Sequence, residues 1–391
     1  MRAFFACVIA LAVGACSAQS EPTPSRTDQV QPDPPAPRFV DAQYPERLAD
    51  WGQLAVGGQT LVLGDDVIPY NLNTPLFTDY ALKLRTVWLP NGAAQYQPRE
   101  VFDFPTGTVI TKTFYYPKTS GGFQNVSRDG QSMDHFDGHV LDLQSVRLIE
   151  TRLLVRRDTG WQALPYVWNE EQTEARLARI GAQVPLTLVG QGRNDEAINY
   201  FVPNVNQCAN CHESNTADGL GVRPIGPKAR HLNSEFDYFD QTANQLAYWR
   251  DAGVLDGMPD LASIPAAFQY AAHRPVTLAE LDAAARAYID INCAHCHARN
   301  GQADTSALYL EPDEPLDANF GVCKPPIAAG RGTGNRQYVL VPGEAEASIF
   351  VYRMDSTIAD VMMPELGRSS VDQHGVELIA RWIDEMPVSC G

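Results

Sequence analysis

Two short stretches hold the residues best suited to chemistry. Cys208-Ala209-Asn210-Cys211-His212 and Cys293-Ala294-His295-Cys296-His297 each place two cysteines three positions apart and a histidine directly after the second. This is the Cys-x-x-Cys-His pattern of covalent haem attachment. Two thiols add across the two vinyl groups of the macrocycle, one helical turn spans them, and the adjacent histidine offers a proximal nitrogen to the iron. The chain has 391 residues, 8 of them cysteine and 8 histidine. In such a chain a chance match is expected about 0.003 times, so two matches point to two c-type haems. Cys208, Cys211, Cys293 and Cys296 are then the covalent anchors, and His212 and His297 the proximal ligands. A zinc site built from both Cys-x-x-Cys pairs is the first rival, but the pairs lie much farther apart than the roughly 15–20 residues usual there. A redox dithiol is the second, and it leaves both histidines unexplained.

A distal ligand is the next requirement, and a thioether there raises the potential. For the second motif the candidates are Met354, Met362 and Met363, with Met363 preferred from Val361-Met362-Met363-Pro364 in a loop before the last helical pattern. For the first motif Met258, in Gly257-Met258-Pro259, competes with His231 and with an open iron position. His135 and His139 are four apart but sit around Gly138 in a loop-like stretch, which argues against a metal role. His273, His295 and His374 read as surface or capping positions. Cys323 and Cys390 remain as a pair, and in an exported protein they are expected to form a disulfide.

These sites need elements to position them. Residues 1–15 have a basic start and an apolar run too short to span a bilayer, as a signal peptide does. The run ends in Val13-Gly14-Ala15-Cys16, which resembles a bacterial lipobox, so Cys16 is the expected lipid anchor. Residues 16–38 are rich in Pro, Ser, Gln and Asp and read as an extended tether. From 39 to 192 the runs LKLRTVWL, GTVITKTFYY and SVRLIETRLLVRR are β-branched and aromatic, which predicts a β-rich, sandwich-like domain. Asp158-Thr159-Gly160 suggests a hairpin with a three-residue turn. Two mainly α-helical haem regions, 193–270 and 271–391, are expected to follow, giving a multidomain α+β chain. Thr277 with Glu280, and Ser370 with Gln373, stand in capping-box positions ahead of apolar stripes.

The formal net charge of −17 argues against nucleic acid and against docking on an anionic bilayer by charge. Redox partners with basic docking surfaces fit it. From Thr277 onward the chain resembles a class I cytochrome c: a helix into CAHCH, a long loop, Met-Pro and an apolar closing helix. More widely, PYNLNTPLFTDYALKLR, ETRLLVR, GWQALPYVW, NQCANCHE, GVCKPPIAAGRG and MMPELGRS resemble an uncharacterised bacterial family of dihaem c-type cytochromes, often lipoproteins. That resemblance covers nearly everything from about residue 45 and implies a β-rich domain before two haem regions. The expected protein is an exported, lipid-anchored dihaem carrier of electrons. The alternatives are a dihaem peroxidase or small-molecule oxidase with an open first haem, and a ligand-binding β-domain with the haems as its electron port.

Overall fold

The computed structural model describes residues 33–41, 43–216, 219–270, 274–327 and 330–390. The expected signal peptide, Cys16, most of the tether and His273 lie outside the described residues. The last tether residues are held against the folded body, since Arg38 N donates to Trp51 O and Asp65 N donates to Pro35 O, both at 3.0 Å.

The β-branched runs form one wide antiparallel sheet. Its six strands run in the order Ala175–Leu177, Gly160–Trp168, Val146–Arg157, Val109–Pro117, Leu82–Trp88 and Ile68–Tyr70. The hairpin turn is tighter than expected. Gly160 pairs with Arg157, so only Asp158 and Thr159 lie between the strands, and Gly160 takes the positive φ of 115° that this turn asks of it.

Alternation along the strands sends side chains to both faces. Phe114, Tyr116 and Ile149 pack with Leu186, Leu188, Ile198 and Tyr200, which come from a second sheet of Glu196–Val202, Ala182–Val189 and Asn125–Ser127. Tyr115, Leu84, Val87 and Leu153 join the larger core instead. Leu61 and Leu63 reach that core from a third sheet, Leu54–Gly57, Thr60–Leu63 and Val140–Asp142. The N-terminal region is therefore β-rich and built of several sheets.

Residues 193–270 depart from the expectation of a mainly helical region. They hold three short helices, α1 (Ala209–His212), α2 (Ala229–Leu232) and α3 (Gln245–Asp251), and two small hairpins, Glu213–Thr216 with Gly219–Val222 and Glu235–Asp237 with Thr242–Asn244. Leu232, Phe236, Leu246 and Trp249 belong to the same core as Tyr70 and Phe102. The physical reason is local. Gly219, Gly221, Pro224, Gly226 and Pro227 interrupt the stretch, and helices this short form only through tertiary packing.

The last third has a core of its own, around α4 (Leu278–Ile289), α5 (Ile349–Met354) and α6 (Gln373–Asp384). Among the described residues between α4 and α5 the chain is a π-helical turn, loops and 3-10 turns, so a mainly helical domain is not evident here either. The Pro- and Gly-rich sequence from Pro325 to Gly334 accounts for this. The Thr277–Glu280 capping box is formed. The Ser370 cap is not: Asp372 caps α6 through Gly375 N, and Ser370 is used elsewhere. Gly375 lets α6 cross α4 closely, because a Cβ there would stand 2.3 Å from the Tyr288 hydroxyl.

Candidate functional site

The first motif occupies a single turn. The Asn204 side chain accepts from Asn206 N and Gln207 N at 3.0 and 2.9 Å, turning the chain out of Glu196–Val202 and into α1. The hairpin after α1 folds back so that His212 Nδ1 lies 2.8 Å from Arg223 O. With the proton on Nδ1, that nitrogen donates to the carbonyl and Nε2 keeps its lone pair. Burial, then the nearby Lys112 charge, brings the His212 pKa down to about 4. The ring is neutral at physiological pH.

The second motif grows from α4, whose last turn widens into a π-helical turn at Asp290–Ala294; such wide turns concentrate at functional sites. Asn292 fixes its start, donating to Tyr288 O at 3.0 Å and accepting from Phe77 N at 2.8 Å. His297 N closes the turn on Cys293 O at 3.0 Å. Ser306 Oγ lies 3.4 Å from His297 Nδ1, and burial with the neighbouring His295 and Arg353 lowers the His297 pKa to about 4. Cys293, His297 and Met363 line one cavity of about 660 Å³ together with Phe77, Met354 and Cys296.

The Met363 loop is held by its backbone. Met363 N donates to Arg353 O at 2.9 Å, and Arg368 Nη2 donates to Met363 O at 2.9 Å. Arg368 is buried and also reaches Ser356 O and Ser370 O. Just beyond, Asp79 Oδ1 accepts from Ser369 N, Ser370 N and Ser370 Oγ at 2.6, 2.8 and 2.9 Å. The segment from Phe77 to Asp79 thus fixes the start of the second motif at one end and the exit of the Met363 loop at the other. Met362 is not among the residues that line the cavity, and its N donates to Ile358 O at 2.8 Å.

The two motifs meet. The ligating atoms of Cys211, His295 and Cys296 all lie within 4.8 Å of one another. Cys296 Sγ donates to Asn210 O at 3.7 Å, Asn215 N donates to Asn300 O at 3.0 Å, and Gln302 Nε2 donates to Glu213 Oε2 at 3.1 Å. Hydrogen bonds from Cys296 and then His295 lower the Cys211 pKa, while the same contact raises that of Cys296.

Other candidates fall elsewhere. Met258 packs against the β-rich core and is not in the cavity lining. His231 is buried, with Nε2 2.8 Å from Asp290 Oδ2. Asp290 also accepts from Arg230 at 2.6 and 2.8 Å and faces Lys228 at 3.6 Å. That cluster ties α2 to the turn that starts the second motif. His139 packs against Phe239 with tilted rings, 5.8 Å between centroids, and His374 faces Glu377 on the exposed side of α6. Cys323 and Cys390 are bonded, with 5.5 Å between their Cα atoms.

Reasoning from sequence passed over His295, Asp79, Asp290 and Arg368. His295 had one signal, a histidine inside the motif that the pattern does not require. The other three act through buried contacts with distant segments, and no local pattern marks them. Comparison with known protein families, with curated proteins and with solved structures finds no match to this chain.

Proposed function

We propose that the chain is a dihaem c-type cytochrome that carries single electrons between exported redox partners. One observation carries this reading. A Cys-x-x-Cys-His motif and Met363 line one cavity of about 660 Å³, inside the roughly 300–1,000 Å³ of cofactor sites. The donor set suits haem: paired thiols for its edge, a neutral imidazole on one side and a thioether in the facing loop. Bound there, haem supplies a reversible one-electron centre. Cys293 and Cys296 would hold it, His297 and Met363 would ligate its iron, and Arg353, Arg368 and Lys324 offer cations for its carboxylates.

In the same proposal Cys208 and Cys211 hold the second group and His212 ligates it. Met258 and His231 drop out of that site, the first packed into the β-rich core and the second committed to Asp290. The contact between the motifs supports passage of electrons from one group to the other within a single chain. Export, a lipid anchor on Cys16 and a class I cytochrome c-like C-terminal part complete the proposal. Among the described residues no helix is long and apolar enough to cross a membrane. The net charge of −17 supports basic donor and acceptor proteins. Exchange with a basic partner should therefore slow as salt rises. The test is stopped-flow oxidation of the reduced protein by a basic one-electron acceptor, beside a peroxide-consumption assay. Rapid peroxide turnover with slow, salt-independent electron exchange would replace the carrier by the enzyme.

A second reading rests on Cys211, His295 and Cys296, a soft donor set for a cation such as zinc. The long sequence gap between the motifs is no obstacle, because the fold closes it. This reading leaves Cys208, Cys293, both final histidines and the cavity without a role. One zinc and no iron per purified chain would favour it.

A further inference from the structure

The widest sheet carries a row of like charges, and Glu150 pairs with only one of them, Arg152. Arg85 pairs in register with Lys112 on the next strand, and Lys112 pairs with Arg152 on the one after. Side chains so opposed are about 4.5–5.5 Å apart at Cβ, and like charges there repel. Lys83 stands two residues before Arg85 and so shares its face. Lys83, Lys112 and Arg152 gather around the buried Phe114 ring, 5.8, 5.1 and 4.5 Å from its centroid.

Lys83 and Arg85 are only 4% and 5% exposed, so their charges are largely withdrawn from water. Nearby acids are already engaged. Glu150 accepts from Arg152 at 2.8 and 2.6 Å and from the Tyr200 hydroxyl at 2.8 Å, and Asp79 is taken by Ser369 and Ser370. Among the described residues, no hydrogen bond or ion pair engages Lys83 Nζ, Lys112 Nζ or the Arg85 guanidinium. Lys83 and Arg85 are buried and Lys112 is half-buried; cations withdrawn from water without a partner are costly in proteins, so these three favour an anion. The row is near enough to the first motif for Lys112 to act electrostatically on Cys211 and His212, and Arg152 on Cys208.

We propose that Lys83, Arg85, Lys112 and Arg152 form a binding site for the carboxylates of a ligand seated beside the first motif. The guanidiniums offer planar forks and the ammoniums point charges, a combination that suits a pair of carboxylates. Two sources supply that chemistry. One is the propionates of a haem held at Cys208 and Cys211, and that branch rests on the proposed function. The other is a free dicarboxylate.

The experiment uses the full chain, with haem content measured first, and compares wild type with Lys112→Met and Lys112→Arg. Lys83→Met takes the place of Lys112→Met should the latter fail to fold. Succinate is the probe for a free ligand. If the site holds propionates, Lys112→Met lowers one reduction equilibrium at least tenfold, ~59 mV for one electron. That potential also becomes pH-dependent near neutrality, because the carboxylate is no longer held ionised, and Lys112→Arg restores both. If the ligand is free, calorimetry detects succinate binding that Lys112→Met weakens at least tenfold, whether or not the chain carries haem. Haem present with unmoved, pH-independent potentials and no succinate binding overturns the proposal. A haem-free chain that does not bind succinate overturns it equally, and in that case the proposed function falls separately.

Discussion

Replacing Asp290 by Asn tests how α2 is locked to the turn that starts the second motif. The carboxylate is 2% exposed and accepts from Arg230 and His231 at 2.6–2.8 Å. Asparagine keeps the size and one acceptor but turns an NH2 toward cations and removes the buried charge that pairs with Arg230 and faces Lys228. Removing one member of a buried pair costs about 3–5 kcal/mol. Because asparagine still accepts one bond, about 3 kcal/mol is expected at pH 7, a large part of a stability of roughly 5–15 kcal/mol. The loss is read from urea unfolding followed by tryptophan fluorescence. Its pH dependence has a definite sign. Burial opposes ionisation of Asp290, but His231, Arg230 and Lys228 hold its pKa below the ordinary 3.8. The unfolded chain therefore takes up the proton first, and the stabilisation is present above about pH 4 and lost as pH falls below it. The gap between wild type and variant should be widest at neutral pH and close below about pH 4. A variant within about 0.5 kcal/mol of wild type, or a gap that stays constant with pH, would refute the reasoning.

Three other outcomes follow from the same contacts. Met363→Ala should turn the haem of the second motif high-spin and lower its potential, with the other haem unmoved; an unchanged EPR spectrum passes the role to another residue. Asp79→Ala leaves Ser369 N and Ser370 N without their acceptor, which should cost about 1–3 kcal/mol and loosen the Met363 loop, seen as faster amide exchange there. Equal exchange in both proteins counts against the Asp79 anchor. Cys323→Ser with Cys390→Ser opens a loop spanning a sequence separation of 67, worth about 4 kcal/mol on the chain-entropy account, and a denaturation midpoint equal to wild type contradicts that value.

The sequence made the motif residues legible because their chemistry is local: spacing and residue type alone specify two thiols and a histidine on one turn. The long β-branched runs were legible for a related reason, since alternating patterns survive in a buried sheet. The fate of 193–270 was not legible. Its apolar residues, such as Trp249 and Leu246, have the look of helix faces, but the core they join is supplied by distant strands, with Trp249 meeting Tyr70 and Phe102. Ser370 shows the same limit at the scale of one hydroxyl. It stands where a cap should be, yet Asp79 claims it and Asp372 caps α6 instead. His231 looked available as a ligand because its partner, Asp290, lies in another region of the chain. The row Arg85, Lys112 and Arg152 exists only once three strands are in register.

Covalent haem content tests the central claim most directly. The full chain is produced in a host able to attach haem c, extracted with acid–acetone, and examined by intact-mass spectrometry and iron analysis. Two haems that stay with the polypeptide, falling to one when Cys293 and Cys296 are both changed to Ala, are predicted from the paired motifs. A chain of unmodified mass, or one carrying zinc in place of iron, would contradict the account.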